Sequence, residues 1–404
     1  MNLKKTKIWL DEQWLPGVLS KRQMKKFVKA GYIDGIESDK EEIYDYSSLD
    51  LHLSDKGYRM LKGAVKPCGD LYMPILNDHS LAEELRADSN GYFTLKAHSC
   101  YVFRLKEKLI PSYYDECFYG QATAKSSIGR LDVIARLIVE GMYSYEQMYP
   151  FKENFSGNMF LEVIPISFDI CVKEGTSLSQ LRLFYGSEKE AIIDNESLIR
   201  QILHGSDDGK GFLSVEVKDK VIGGIKVAAF RAKKDIPEYI DLSEKEATDP
   251  CKYFCFESVG SEGRLAIKNG EFYILRSKER IALPSGVAVY CRPMDETLGE
   301  MRIHYAGFAH PFFGMERKDK QIGTPLIFEV RGHNVDVNLA DNEKLARLTF
   351  YRMSEEAEKE KKAEKESDNS SGPYDNQDLT LSNLFKKWPD KLKLGEDGAV
   401  EPDE

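Results

Sequence analysis

The stretch Ser48-Leu-Asp-Leu-His-Leu53 alternates polar and apolar residues, with three leucines on one side. This period of two is typical of a β-strand with one buried face and one solvated face. Similar short runs recur at 100–105, 160–172 and 178–184, separated by Gly, Pro and charged residues. Together they predict a mainly β protein, a sandwich or barrel with few helices. One helix is predicted at 20–30.

The second half of the chain repeats the plan of the first half. Three segments recur in the same order, which predicts an internal duplication with a period far longer than that of solenoid repeats. The polar stretch 204–210 is the natural junction, so we predict β domains at 1–190 and 205–353. The matching segments are Arg104-Leu-Lys-Glu-Lys-Leu-Ile-Pro111 with Arg276-Ser-Lys-Glu-Arg-Ile-Ala-Leu-Pro284, Phe160-Leu-Glu-Val163 with Ile327-Phe-Glu-Val330, and Leu178-Ser-Gln-Leu-Arg-Leu-Phe184 with Leu345-Ala-Arg-Leu-Thr-Phe350.

The remaining residues, 354–404, form a charged tail. Its first part is nearly all Glu, Lys, Ala and Ser, which is too poor in large apolar residues to fold alone, so we predict partial disorder. Further along, five apolar residues form a small cluster that predicts a short helix docked on the protein's own surface. A partner-binding motif is the alternative. The five residues are Leu379, Leu381, Leu384, Phe385 and Trp388.

Charge and composition exclude several classes of function. The net charge of −10 over 404 residues argues against binding to a nucleic acid polymer, although a local cation cluster could hold a small phosphorylated ligand. No apolar run approaches the ~20 residues of a membrane span and no signal-peptide core follows the N-terminus, so we expect a cytoplasmic protein. Cys251 and Cys255 are the only closely spaced cysteines, and nothing follows them at zinc spacing.

Three segments could carry chemistry. In Lys125-Ser-Ser-Ile-Gly-Arg130, two hydroxyls between two cations could hold a polyphosphate, but such a segment is often only a turn. Tyr305-Ala-Gly-Phe308, followed by His310, could lie against a planar ligand or simply shape a hairpin. Glu162 and Glu329 each stand within an apolar strand, where a half-buried carboxylate often has a raised pKa that suits acid–base work. Either could instead be a structural charge.

The chain is similar to the dCTP deaminase family, in particular its long two-repeat bacterial form within the dCTP deaminase/dUTPase superfamily. The resemblance runs from about Pro16 to Met353 and implies tandem dUTPase-like β-barrel (β-clip) domains. The motifs that carry it are Ser47-Ser-Leu-Asp-Leu51, Lys125-Ser-Ser-Ile-Gly-Arg-Leu-Asp-Val133 and Gly175-Thr-Ser-Leu-Ser-Gln-Leu-Arg182 in the first repeat, and Phe272-Tyr-Ile-Leu275, His304-Tyr-Ala-Gly-Phe308 and Phe328-Glu-Val-Arg331 in the second.

The resemblance implies hydrolytic deamination of dCTP to dUTP and ammonia. It implies that the Ser-Ser segment binds phosphates and orients water, that the hairpin holds base and sugar, and that a Glu is the general base. The chain lacks the motifs of zinc nucleobase deaminases, so we expect no zinc, and Mg²⁺ only as the companion of the triphosphate. The implied catalytic residues are Glu329, Ser126 and Arg130, and the implied substrate-binding residues are Lys125, Ser127, Gly129, Tyr305, Ala306, Gly307, Phe308, His310, Ile327 and Phe328.

Each repeat has lost what the other retains. The first repeat has Val139-Glu-Gly-Met-Tyr143 where a hairpin should follow, and the second has Arg292-Pro-Met-Asp-Glu296 in place of the phosphate segment. We therefore predict a composite site between the repeats, with Glu329 as the catalytic carboxylate and Glu162 as a structural residue or alternative base. The family's sites lie between barrel units, which also predicts a homo-oligomer.

One residue departs from the family pattern. His310 stands where the family usually has Asp on the sugar side of the hairpin, and an imidazole is not a constitutive anion. This argues against a coupled dUTPase step. Two alternatives stay open: a dUTPase-like pyrophosphatase on the same scaffold, and a nucleotide-sensing module that has lost turnover.

Overall fold

The computed structural model describes residues 7–36, 40–110, 117–149, 157–205, 209–294, 301–304, 307–315, 322–358 and 377–403. The protein is mainly β, as predicted. Two features illustrate how local sequence sets its elements. Ser20 and Gln23 cap the start of one helix reciprocally, and the three leucines of the Ser48 stretch are fully buried on a single strand face.

Within its described residues, the first repeat contributes twelve strands and four short α-helices. The strands are β1 Gly17–Val18, β2 Ile33–Asp34, β3 Leu49–Met60, β4 Ala82–Glu84, β5 Tyr92–Leu95, β6 Tyr101–Leu109, β7 Phe118–Ala124, β8 Val133–Val139, β9 Gln147–Met148, β10 Asn158–Pro165, β11 Ile170–Lys173 and β12 Ser177–Tyr185. The helices are α1 Ile8–Asp11, α2 Lys21–Lys29, α3 Met73–Asn77 and α4 Ser126–Gly129.

The second repeat follows after two connecting helices. These are α5 Glu188–Ala191 and α6 Glu196–Ile202, and a further helix, α7 Pro250–Tyr253, lies within the second repeat. The strands are β13 Leu203–His204, β14 Phe212–Ser214, β15 Lys220–Ile222, β16 Ile225–Val227, β17 Ala229–Ala232, β18 Ile240–Asp241, β19 Phe254–Glu257, β20 Arg264–Ile267, β21 Phe272–Ile281, β22 Val287–Pro293, β23 Met301–His304, β24 Phe308–Ala309, β25 Thr324–Gly332, β26 Val337–Ala340 and β27 Lys344–Arg352, followed by the C-terminal pair β28 Leu392–Leu394 and β29 Val400–Pro402.

The sheet orders of the two halves correspond. The first repeat contains the order β8-β10-β6-β3, and the second contains β23-β25-β21-β17. Glu162 lies on β10 between Arg136 and Val102, and Glu329 lies on β25 between His304 and Ile274. The duplicated fold is therefore visible in strand register as well as in sequence.

The two repeats are joined by a shared core. The largest apolar cluster runs from the leucines of β3 to Phe230, Phe254 and Ile274 of the second repeat. Strand β11 pairs in parallel with β18, with Ile170 opposite Ile240. Burial of this apolar surface is the main favourable contribution to folding, so the shared cluster stabilises the contact between the repeats, and the second repeat has a further apolar cluster of its own.

The C-terminal apolar cluster docks on the protein, but the predicted helix is wrong. Leu379, Leu381, Leu384 and Phe385 are all buried in the shared core, and Trp388 packs against Phe256 with ring centroids 4.7 Å apart. No α-helix occurs in the described part of the C-terminal segment, 377–403. Around Phe385 the chain forms turns and an isolated bridge to Thr248, and the amide of Lys386 donates to the carbonyl of Thr248 rather than to a helical neighbour.

Replacing Phe385 tests this docking. We expect Phe385→Ala to lower the free energy of unfolding by about 3–5 kcal/mol, because the ring is lost from a site that cannot collapse fully. Phe385 packs against Tyr253 and Phe254 at 5.8 and 5.4 Å between ring centroids. Guanidinium unfolding would measure the change, with Leu394→Ala, at a 59% exposed residue of the same segment, as the matched control. Equal midpoints for the two variants would contradict the docking.

Among the described residues, no helix is long and apolar enough to cross a membrane.

Candidate functional site

The Ser126 segment forms one helical turn between two strands. Helix α4 follows β7 directly, and the amides of Ile128 and Gly129 both donate to the carbonyl of Lys125 at 2.8 and 3.1 Å. The amide of Arg130 closes the turn on the carbonyl of Ser126 at 3.3 Å. This i,i+4 spacing places Ser126 and Arg130 on the same side of the turn. Lys125, just before it, forms an ion pair with Asp50.

Arg130 is a buried cation at the end of this turn. It is 2% exposed, and its Nη2 donates to Oε1 of Gln377 at 2.6 Å while Nη1 donates to the carbonyl of Leu381 at 3.3 Å. Its Nε lies 3.9 Å from Oε1 of Glu329. The guanidinium thus joins the first repeat, the second repeat and the C-terminal segment at one point.

Glu329 enters the site from strand β25. It is 6% exposed, and burial raises the pKa of its carboxyl to about 8 despite the opposing attraction of Arg130. A Cβ at Gly129 would lie 3.5 Å from the carboxyl carbon of Glu329, so the glycine leaves room for a small group beside the carboxylate. A buried carboxyl with a pKa in this range is poised to take and return a proton near neutral pH.

A cavity connects these groups with Gly307 and Phe308 of the second repeat. It opens among β7, α4, β22, β24 and β25 and includes nine of the predicted site residues. These are Lys125, Ser126, Gly129, Arg130, Gly307, Phe308, Ile327, Phe328 and Glu329, and the other lining residues are Ala124, Cys291, Pro293, Ile303, Ala309, Phe313, Leu326 and Gln377.

Residues 15–187 match the family described as the 2'-deoxycytidine 5'-triphosphate deaminase (DCD) N-terminal domain, and residues 186–385 match the corresponding C-terminal domain. The chain belongs to the dCTP deaminase family. The crystal structure of 2'-deoxycytidine 5'-triphosphate deaminase from Agrobacterium tumefaciens is similar over 84% of this chain and 99% of that chain, with a TM-score of 0.75 and 25% sequence identity. No curated protein matches the chain.

Not every predicted residue lines the cavity of this dCTP deaminase family member. Ser127 is half-buried but is outside the described lining. His310 also lies outside it, stacked on Tyr46 with ring centroids 5.1 Å apart and an angle of 26°. Tyr305 and Ala306 lie outside the described residues.

The alternative base, Glu162, is engaged in a structural network. It is fully buried, and Arg136 donates to its Oε1 through both Nε, at 2.9 Å, and Nη2. The hydroxyl of Tyr145 donates to its Oε2 at 2.9 Å. Nearby, Glu140 belongs to the segment that stands where the first repeat lacks the family's hairpin. Its carboxylate accepts a hydrogen bond from the amide of Tyr72 at 2.9 Å and so anchors helix α3. Both Glu162 oxygens are therefore occupied by the protein itself.

An ion pair between the repeats flanks the cavity. Asp132 is fully buried in a left-handed conformation with φ of 59°, and it pairs with Nη2 of Arg331 and accepts from Ser167 at 2.6 Å. Asp132 follows Arg130 by two residues, and Arg331 follows Glu329 by two. The ion pair thus holds the segment of the first repeat against the strand of the second repeat beside Arg130 and Glu329.

Two of the eight lining residues that were not predicted as site residues have polar or ionisable side chains, Gln377 and Cys291. Gln377 lies in the segment predicted as a tail, after the predicted resemblance ends at Met353. The family match, however, continues to residue 385. Cys291 donates its amide to the carbonyl of Gly307 at 2.9 Å, and burial, with a smaller contribution from Glu329, raises the pKa of its thiol to about 12. Its position opposite Gly307 depends on strand pairing, which the local sequence does not reveal.

Proposed function

We propose that this protein hydrolyses dCTP to dUTP and ammonia at the cavity between its two repeats, with Glu329 as the general base. The observation that carries the proposal is the buried Glu329 carboxyl beside Arg130 and Gly129, in a cavity that Ser126 also lines. Membership of the dCTP deaminase family supports the choice of dCTP as substrate.

In the proposed reaction, a water molecule attacks C4 of the cytosine and Glu329 accepts its proton. Glu329 then passes this proton to N3 of the base and transfers the proton of the new C4 hydroxyl to the amine, so that the C–N bond breaks, ammonia departs and the water oxygen stays on C4 as the carbonyl oxygen. Ser126 and Arg130 orient the water or stabilise the charge of the intermediate. Donors that are already in place for a developing charge need no rearrangement during the reaction.

The substrate is bound by groups from both repeats. Lys125, Ser126 and Ser127 contribute to binding of the phosphates, and Gly307 and Phe308 lie against base and sugar. Mg²⁺ accompanies the triphosphate and is held through phosphate oxygens, and no group of three or more His, Cys, Asp or Glu side chains in the described part of the chain is arranged to hold a metal ion. We also propose that the protein acts in the cytoplasm as a homo-oligomer.

The deciding experiment is incubation of the purified protein with dCTP and Mg²⁺. We expect ammonia and dUTP to form in equal amounts without pyrophosphate, and parallel reactions with CTP and dCMP would give the preference among cytosine nucleotides. Pyrophosphate without ammonia would identify a dUTPase-like pyrophosphatase instead. Nucleotide binding with neither product would identify a sensing module.

The raised pKa of Glu329 predicts the pH dependence. A general base works only when deprotonated, so kcat/KM for dCTP should rise with pH and level off above about 8, the pKa to which burial raises this carboxyl. Below that point the slope should approach tenfold per pH unit. Initial rates at low dCTP concentration in buffers between about pH 6 and pH 10 would measure it, and a flat profile over this range would contradict the assignment.

A further inference from the structure

Arg182 of the first repeat contacts Phe308 of the second repeat. It lies on β12 and is 1% exposed. The central carbon of its guanidinium lies 3.7 Å from the ring centroid of Phe308. Phe308 in turn lines the same cavity as Glu329. One wall of the cavity is therefore backed by a cation from the other repeat.

The polar contacts of Arg182 do not account for its burial. Its Nη1 donates to Oγ1 of Thr123 at 2.9 Å, but its Nε has no hydrogen-bond partner among the described residues. Burial lowers the pKa of the guanidinium to about 9, with Tyr290, Asp45, Glu146 and Asp50 acting in the opposite direction. A buried charge without a close ion pair is costly, and an apolar side chain would fill the same space with less penalty.

The contact with the Phe308 ring is the interaction of Arg182 that depends on the positive charge of its guanidinium. A cation over an aromatic face is attracted by the ring quadrupole, most strongly where water is excluded. The backbone of Phe308 is held by strand pairing, since β24 pairs with β22 and places Phe308 opposite Tyr290. The carbonyl of Gly307 accepts from Cys291 at 2.9 Å. These contacts fix the backbone but not the side-chain orientation of Phe308, and the guanidinium of Arg182 lies against its ring.

The second repeat lacks this cation. In the matching segments Leu181-Arg182-Leu183 corresponds to Leu348-Thr349-Phe350, and Leu181 opposite Ala122 corresponds to Leu348 opposite Cys291 in the sheets. This position is therefore an arginine in the first repeat, whose side chain contacts Phe308, and a threonine in the second repeat. This asymmetry follows the division of the phosphate segment and the hairpin between the repeats.

We propose that Arg182 is a positioning residue for the nucleotide: it holds the Phe308 ring in the orientation that completes the base and sugar wall of the cavity. This inference rests on the proposed function for the identity of the nucleotide. Arg182 itself does not touch the substrate, and it acts through Phe308. Its loss should therefore weaken dCTP binding more than it slows the chemical step.

The test is a double-mutant cycle on dCTP affinity. All proteins carry Glu329→Gln, so that binding is measured by calorimetry without turnover. We expect Arg182→Met to weaken dCTP binding about tenfold or more when Phe308 is present, and to have little further effect in the Phe308→Leu protein. An equal loss in both backgrounds would show that Arg182 acts only on the fold and would overturn the proposal.

A conservative variant keeps the test decisive if Arg182→Met does not fold. Arg182→Lys keeps the positive charge but not the planar group, so it should retain part of the coupling to Phe308. If Arg182→Met is not folded by circular dichroism, the same cycle with Arg182→Lys decides the question, and absence of coupling again overturns the proposal. Ammonia release from dCTP by the unmodified protein is measured separately, so failure of the proposed reaction is distinguishable from failure of this inference.

Discussion

Glu329→Gln is expected to lower the rate of dCTP deamination by about 10²–10⁴-fold, the usual contribution of a well-placed general base. The side-chain amide of glutamine has nearly the same shape as the carboxylate of glutamate. It therefore preserves the packing of β25 but cannot accept the proton of the attacking water. Affinity for dCTP should change little, because the carboxyl acts on the water rather than on the phosphates. Steady-state ammonia release and calorimetric binding of dCTP would measure the two effects.

The matched control is Glu162→Gln, at the corresponding position of the first repeat. Arg136 and Tyr145 already occupy both oxygens of Glu162, so this variant should lose stability rather than chemistry. Its kcat should stay within a few-fold of the unmodified protein at a temperature where both are folded. An active Glu329→Gln protein together with an inactive Glu162→Gln protein would reverse our assignment of the two carboxylates.

The second large effect concerns the ion pair between the repeats. Asp132→Asn should lower the free energy of unfolding by about 3–5 kcal/mol, because it leaves Arg331 without its partner in a largely buried position. Asp132 is fully buried, and the side chain of Arg331 is 18% exposed. Guanidinium unfolding would measure the loss.

Two further variants separate this effect from general charge loss. Glu84→Gln removes one partner of an exposed pair with Lys56, and it should leave the unfolding midpoint nearly unchanged because surface pairs contribute little. The double variant Asp132→Asn with Arg331→Met should recover part of the lost stability, since no unpaired charge stays buried. A double variant that is less stable than the sum of its parts would contradict this account.

Disruption of the pair should also lower activity. Asp132 stands two residues after Arg130, and Arg331 stands two residues after Glu329. Any shift between the repeats therefore moves Arg130 relative to Glu329. Small misplacements of catalytic groups reduce the rate strongly. Ammonia release by Asp132→Asn, measured where the protein is fully folded, should therefore fall, and unchanged kcat would limit the pair to a role in stability.

Much of this architecture follows from patterns within short segments. The alternation at Ser48–Leu53 predicts β3, and Ser20 with Gln23 defines the start of α2, because each pattern depends on the period or the cap of one element. The ordered recurrence of the matching segments predicts the duplication. The division of motifs between the repeats favours Glu329 over Glu162, and the register of Glu162 against Arg136 supplies the physical reason.

The sequence by itself determined the strand pattern, the duplication and the identity of most residues around the cavity. Only the tertiary structure brought Gln377 and Leu381 against Arg130, 247 and 251 positions earlier in the chain. It also decided that the C-terminal segment docks without a helix, that Ser127 and His310 lie outside the cavity lining, and that Arg182 backs Phe308. Such contacts depend on how distant surfaces pack together, and the period of a local segment contains no information about its distant partners.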